Sequence, residues 1–409
     1  MSTTSLPMIR TGIISGSGND KEETSMKTEI KILACAAILG ATILTGCNKN
    51  GLDVIRGKEI RFSSVSNGPS TKTQYGDVSG TKQALNWVNG DIIRIASPST
   101  HVTDNPNLDF ADYSVTLTTS GVPSKGTLTN VAENGLAWGD APATYTFFGI
   151  YPSTTKNSKI TLTSAGAVSA YIPGEQPLNG TASSKQVADG NATITYDEYK
   201  PDMLYAYMTS KTVYNLQSSA FGDNNYVTKL VDGGPNVDMA FDPAFTAFEI
   251  NLSSGDEDFT ISRVELVGDN GTPKVTTDDF PLYGTFTMTA GDVFATTPIT
   301  VGSDAGNSVY VTMDQALTTA TGISFTLFTL PKDNTGIISL KVTIKTGTDT
   351  TEVGTLKLTA GENTPYVFKA GHKYRINLLK LGGRWKILFG ELTVDEWIPA
   401  EGSTNLIVE

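Results

Sequence analysis

The residue types that most often carry chemistry are scarce in this chain. Among 409 residues there are two histidines and two cysteines, too few for a histidine- or cysteine-rich metal site or a disulfide framework. His101 lies among turn residues, and His372 follows Gly371 at the entrance to a predicted strand, with no nucleophile motif nearby. Surface or turn positions therefore explain both histidines better than general-base catalysis does.

The acidic residues are numerous but point to no site. The groups 256–258 (DED) and 278–279 (DD) have the chemistry to bind a hard cation, yet they lack the carbonyl-ligand spacing of such sites, which favours solvated loop charges. A carboxylate pair for glycoside hydrolysis stays open, because 42 acidic residues guarantee accidental pairs. No hydrolase, zinc-protease, P-loop or EF-hand motif is present. We therefore predict no catalytic residue, no metal site, no cofactor and no enzyme.

Charge and composition further limit the class of protein to which the chain can belong. Lys and Arg number 30 against 42 Asp and Glu, a net charge of −12. Such an acidic chain lacks the basic face that a nucleic-acid binder needs. Its 39% hydrophobic residues are enough for packed cores.

The strongest local signal is a leader. After Met26 come Lys27 and Lys31, then an apolar stretch at 32–44, which is long enough for a signal peptide and too short to span a membrane. The segment 44–47 reads LTGC and matches a bacterial lipobox, which predicts cleavage before Cys47 and lipidation of that cysteine. The expected covalent lipid would hold the protein at a membrane through a short polar tether, 47–57.

The first 25 residues fit this leader poorly. Asp20, Glu22 and Glu23 precede the signal and weaken its positive start. We therefore expect Met26 to be the true start and 1–46 to combine an over-extended N-terminus with a lipoprotein signal peptide.

After the tether the pattern is that of strands. Apolar residues alternate with polar ones near 60–62, 113–117, 340–344 and 374–378, and turn residues punctuate the runs. Outside the leader no helical stripe is sustained. The sequence predicts an all-β fold of sandwiches or barrels.

A domain boundary is predicted in 218–237, which is rich in Gly, Asn and Asp. It would separate an N-terminal β-sandwich domain, 58–217, from a C-terminal one, 238–409. Four tryptophans, Trp87, Trp138, Trp385 and Trp397, could form a glycan-stacking platform, but core or hairpin positions are the more common fate of aromatic residues in β-rich chains.

Several local patterns occur in an order that resembles the fimbrillin-like family of Bacteroidetes surface lipoproteins, the subunits of type V pili. The patterns are IRFS at 60–63, WVNGDII at 87–93, YTFFGIYP at 145–152, IPGEQ at 172–176, DMLYA at 202–206, FDPAFTAFEI at 241–250, FTLFTLP at 325–331, GHKYRI at 371–376 and VDEW at 394–397. They extend over nearly the whole chain after the lipobox. The resemblance implies two tandem transthyretin-like β-sandwich domains and a structural, fimbrial role on the cell surface.

In polymerising members of that family, a protease cuts after an arginine and removes the first strand, and a neighbouring subunit donates a strand to the groove. The resemblance makes 59–65 the resident strand here, with Ile60 and Phe62 filling the groove. The loop 66–75 carries Lys72 and no arginine, whereas Arg56 precedes the strand and Arg61 lies within it. The processing site is thus open among Lys72, Arg56 and Arg61.

Two subtypes and one alternative function follow. A subunit that keeps its first strand and its lipid would be an anchor, and one that is cut would join a shaft or tip. The expected partners are other fimbrial subunits, the outer membrane and a host or bacterial receptor. The alternative is an outer-membrane glycan-binding lipoprotein of a polysaccharide-uptake system, whose members are also tethered β-sandwiches.

Overall fold

A computed structural model describes most of the chain after the tether. The described residues are 59–65, 74–79, 82–102, 107–117, 125–132, 134–139, 143–189, 192–216, 236–269, 280–295, 299–345, 351–361, 364–387 and 393–397. All of them belong to one compact unit, Ile55–Glu409. Cys47, the tether and the leader lie outside the described residues.

The first half contributes fourteen strands to the described part, all short enough to be typical of β-sandwiches. They are β1 Arg61–Val65, β2 Gln74–Ser79, β3 Lys82–Asn86, β4 Ile92–Ala96, β5 His101–Val102, β6 Phe110–Leu117, β7 Lys125–Asn130, β8 Leu136–Ala137, β9 Ala143–Tyr151, β10 Thr161–Leu162, β11 Ala167–Ile172, β12 Asn179–Asp189, β13 Ala192–Lys200 and β14 Met208–Leu216. A single 3-10 turn, Met203–Tyr205, lies between β13 and β14 and is capped by Asp202, whose side chain accepts a hydrogen bond from Leu204 N.

The second half contributes fourteen more strands to the described part. They are β15 Asn236–Ala240, β16 Asp242–Pro243, β17 Thr246–Ser254, β18 Phe259–Asp269, β19 Gly284–Thr289, β20 Thr300–Val301, β21 Ser308–Leu317, β22 Thr321–Thr329, β23 Ile337–Lys345, β24 Thr351–Gly361, β25 Thr364–Pro365, β26 His372–Leu381, β27 Arg384–Ile387 and β28 Thr393–Trp397. No α-helix occurs in the described ranges, so none of them holds a helix long and apolar enough to cross a membrane.

The strands form four main sheets. An eight-stranded sheet has the order β15-β1-β7-β6-β4-β9-β14-β16, and a four-stranded sheet has the order β10-β11-β19-β20. A larger sheet follows the path β12-β13-β22-β17-β26-β28-β3-β2, with β27 paired to β26, and the last sheet has the order β21-β18-β23-β24-β25. A further small sheet pairs β5 with β8.

The apolar faces of these sheets meet in two cores. The first core joins residues of the eight-stranded and four-stranded sheets, such as Phe147 and Phe286. The second joins the β17 and β22 face of the large sheet to the β18 and β23 face of its partner, for example through Ile250 and Leu340. Both cores are built from inward residues of facing sheets, the arrangement of a sandwich, and the first core also includes Ala247 and Phe328 of the large sheet. The predicted all-β sandwich fold is thus confirmed.

Strands from the two halves of the chain share sheets. The hairpin β12–β13 joins the large sheet through parallel pairing of β13 with β22, β11 pairs with β19, and β15 pairs with β1. Most of the predicted linker, up to 235, lies outside the described residues, and its boundary stays a prediction.

Candidate functional site

The first strand of the described chain occupies an interior position in the eight-stranded sheet. β1 runs antiparallel to β7, with Phe62 opposite Leu128, and parallel to β15, with Phe62 beside Val237. We call the space between β7 and β15 the first-strand groove. Both of its edges are backbone edges of strands, so whatever fills it must itself be a strand.

Ile60 and Phe62 lie in the core beneath this groove, with exposed fractions of 2% and 1%. The Phe62 ring meets Tyr113 and Phe147 edge-on, each at a centroid distance of 5.2 Å. Burial raises the pKa of the Tyr113 phenol, which therefore stays neutral, and its oxygen accepts a hydrogen bond from Leu136 N at 2.8 Å. Ile60 N in turn donates to Leu136 O at 2.7 Å. The two residues thus anchor the strand in an aromatic pocket.

The next inward residue after Ile60, which precedes β1, and Phe62, which lies in it, is Ser64, which is fully buried. It lies opposite Gly126 of β7. A Cβ at Gly126 would come within 2.6 Å of Val115 Cγ1 and 3.3 Å of Ser64 Oγ. The side chains that fill the groove are therefore, in chain order, a large aliphatic one (Ile60), an aromatic one (Phe62) and a small one (Ser64).

Outward polar side chains connect β1 to β15. Asn236 Nδ2 donates to Ser63 Oγ at 2.7 Å and to Asp238 Oδ1 at 2.8 Å, and Ser63 Oγ donates to the same Asp238 oxygen. On the far side of β15, Thr212 Oγ1 of β14 donates to Asp238 O at 3.2 Å. The eight-stranded sheet is therefore curved, so that β15 at one end lies close to β14 near the other end.

The sequence does not predict β15 as a wall of the groove, because the strand begins at the end of the turn-rich stretch 218–237, which is predicted to be a linker. Val237 and Met239 are both fully buried and alternate with the exposed Asn236 and Asp238. This period-two alternation was the available signal.

Of the three residues considered as processing sites, the structure describes only Arg61. Arg61 begins β1, has an exposed side chain and lies opposite Asn236, so the peptide bond that follows it is inside a paired strand. Arg56 and Lys72 lie outside the described residues, as does Cys47.

Two of the motifs that carry the family resemblance meet in space. The Asp91 carboxylate accepts a hydrogen bond from Val88 N at 2.9 Å within its own turn, where Gly90 has a φ of 88°. Its other oxygen accepts from the Tyr151 hydroxyl at 3.1 Å. The Asp side chain thus ties the turn before β4 to the end of β9.

His372 and the acidic residues 256–258, which were considered for catalysis or cation binding, form hydrogen bonds or ion pairs within the fold. The His372 Nδ1 lies 2.8 Å from Ala370 O. Asp256 accepts from Gly382 N at 2.6 Å, Asp258 accepts from Thr319 N at 3.0 Å, and Glu257 pairs with Lys380.

The remaining candidates are His101 and the acidic pair at 278–279. His101 is exposed in β5, and residues 278–279 lie outside the described residues. In the described ranges, no three His, Cys, Asp or Glu side chains gather as cation ligands would.

Trp87 and Trp138 lie in the first core, with exposed fractions of 0% and 2%. Trp87 packs edge-on against Tyr151 and Phe241, and Trp138 packs against Tyr145. Neither ring is available to stack on a glycan. The side chains of the other two tryptophans lie outside the described residues.

Comparison with known proteins gives structural neighbours only. No protein-family model and no curated protein matches the chain. A candidate cell adhesion protein from Bacteroides uniformis superposes on 83% of this chain and 98% of its own, with 12% identity and a TM-score of 0.46.

Two further solved structures are fimbrial. A fimbrial protein from Bacteroides vulgatus superposes on 76% of this chain and 92% of its own, with 15% identity and a TM-score of 0.34. The C-terminally truncated tip fimbrial protein of Porphyromonas gingivalis superposes on 83% of this chain and 99% of its own, with 13% identity and a TM-score of 0.29. These superpositions are too loose for any function to be carried over to this chain.

Proposed function

We propose that the protein is a non-enzymatic structural component of a cell-surface fimbrium, assembled by strand exchange and tethered to the outer membrane through an acylated Cys47. The observation that carries the proposal is the place of the first strand. β1 is an interior strand, held between β7 and β15, and its Phe62, together with Ile60 just before the strand, lies in the core.

An interior N-terminal strand is suited to exchange. Its removal would uncover the backbone donors and acceptors of β7 and β15 together with the pocket of Tyr113 and Phe147. An extended segment of a neighbouring subunit can satisfy such groups by β-augmentation. While β1 stays in place, the same edges are covered and do not pair with other chains.

The lipid and the first strand together define the role within the fimbrium. With Cys47 acylated and β1 retained, the protein is an anchor at the outer membrane. With β1 removed, it loses the lipid as well and joins a shaft or tip. Cleavage at Arg61 would have to open a paired strand, so a cut after β1, for example at Lys72, is the easier route to its removal.

Fimbrial and adhesion proteins are also the class named for the solved structures above, although that likeness is too loose to carry the proposal. A host or bacterial receptor would contact exposed loops, where binding specificity resides in such scaffolds.

The test is the intact mass and N-terminal sequence of the protein recovered from cell envelopes. An acylated Cys47 with 59–65 retained supports the anchor, and a start just after Lys72 in a protein that forms multimers supports the shaft or tip. A protein that starts at Met1, carries no lipid and stays monomeric would refute the proposal.

A further inference from the structure

A cluster of charged side chains lies buried on the face of the large sheet that points away from its sandwich core. At its centre is Glu249 of β17, which is 3% exposed and lies between the apolar residues Phe248 and Ile250. Lys373 of β26, 1% exposed, binds Glu249 Oε2. We call Glu249, Lys373, Arg375, Lys185 and Asn251 the buried charge cluster.

The two oxygens of Glu249 have different surroundings. Oε1 accepts from Lys185 Nζ at 2.7 Å, from Arg375 Nε at 2.8 Å and from Asn251 Nδ2 at 3.2 Å. Oε2 faces the Lys373 ammonium. Three N–H donors on one carbonyl oxygen, two of them cationic, form the kind of arrangement that stabilises an oxyanion during acyl transfer.

Burial favours the reactive form of the amine. Although burial by itself raises the pKa of Glu249, the cations Lys373, Lys185 and Arg375 hold that pKa well below its usual range. Burial lowers the pKa of Lys373, and Glu249 only partly offsets this. A lysine that gives up its proton more readily is a better nucleophile.

From this geometry we propose that Lys373 and Glu249 condense into an intramolecular amide that cross-links β17 to β26. Lys373 Nζ attacks Cδ while one of its protons moves to Glu249 Oε2, which becomes more basic as Cδ becomes tetrahedral, whereas the resting carboxylate stays ionised. Lys185, Arg375 and Asn251 hold the negative charge that forms on Oε1. A second proton then moves from Nζ to Oε2, which leaves as water while the C–N bond remains.

The reaction is balanced without a co-reactant. One ammonium and one carboxylate become one amide and one water, and no oxidation occurs. The product joins neighbouring parallel strands in which Ala247 pairs with Lys373 and Glu249 pairs with Arg375. It closes a loop between residues 124 positions apart, and it replaces a buried ion pair with a covalent bond that resists pulling along the strands.

The first experiment is the intact mass of the full chain under denaturing conditions, followed by tryptic peptide mapping. The expected mass is one water, about 18 Da, below that calculated from the sequence for the same N-terminus and Cys47 modification, because the condensation of amine and carboxylate expels one water. The peptide that contains Glu249 should appear joined to the one that contains Lys373, with no cleavage after Lys373. Wild-type protein without the loss of one water, or a water loss that maps to another place, overturns the proposal.

Three variants locate the chemistry. Lys373→Arg keeps a cation but cannot form the amide, so it should show the full mass. Lys369→Arg changes an exposed lysine on the approach to β26 and should keep the water loss. Arg375→Gln removes one donor from Oε1, so the linked fraction should rise more slowly after synthesis. An unchanged rate in that variant would contradict the assigned role of Arg375.

Discussion

The side chain of Gln176 forms both backbone hydrogen bonds that a neighbouring strand would otherwise give to Phe328. Its Nε2 donates to Phe328 O at 2.7 Å, and its Oε1 accepts from Phe328 N at 2.8 Å. Gln176 follows β11, whereas Phe328 lies in β22, 152 positions later. The amide therefore fastens a segment of the first half of the chain to the large sheet.

Gln176→Ala should lower the free energy of unfolding by about 2–5 kcal/mol. The substitution leaves two buried backbone groups of Phe328 without partners, and each costs about 1–3 kcal/mol. Urea unfolding followed by tryptophan fluorescence measures the change. Glu175→Ala is the matched control, because Glu175 is exposed and its substitution should change stability by less than about 0.5 kcal/mol. Equal effects in the two variants would contradict the role assigned to Gln176.

Phe62→Ala should lower the free energy of unfolding by about 3–5 kcal/mol, since it removes a buried ring and leaves a cavity between Tyr113 and Phe147. The measurement is again urea unfolding. Arg61→Ala, next to it on the exposed face of β1, should be nearly neutral. If Phe62→Ala lowered the free energy of unfolding only slightly, β1 would contribute little to the first core.

The all-β fold could be predicted because alternation of apolar and polar residues is a local property. In β6, Ala111, Tyr113 and Val115 are buried and alternate with half-buried residues, as the period-two pattern predicts. Burial of Ile60 and Phe62 follows the same rule.

Pairing between distant strands could not be predicted in this way. Nothing local in β13 specifies parallel pairing with β22, and nothing local in β11 specifies β19. The buried charge cluster was missed for the same reason, since Glu249 and Lys185 are 64 positions apart. The single hint was a glutamate within the apolar segment FTAFEI, which becomes informative only when its partners are known.

Gly126→Val should destabilise the protein by about 1–3 kcal/mol through overpacking. A Cβ at this position would lie 2.6 Å from Val115 Cγ1 and 3.2 Å from Thr116 O, so β1 or β6 would have to shift. Thermal unfolding measures the change, and Thr127→Val, on the exposed neighbouring position, is the control. If Gly126→Val were neutral, the close approach of β1, β6 and β7 would be wrong.

Asp242→Asn should stabilise the protein at neutral pH. Burial raises the pKa of Asp242 from 3.8 to about 6, so the folded state favours the protonated acid. The wild type is therefore relatively most stable below pH 3.8, and it loses this advantage as the pH rises through about 6. The shift corresponds to about 3 kcal/mol, so the variant's gain should grow between pH 4 and 6 in urea unfolding and then level off. Asp314→Asn, at an exposed surface pair with Lys345, should follow the wild-type profile, and a gain at Asp242 that is independent of pH would show that desolvation is not its cause.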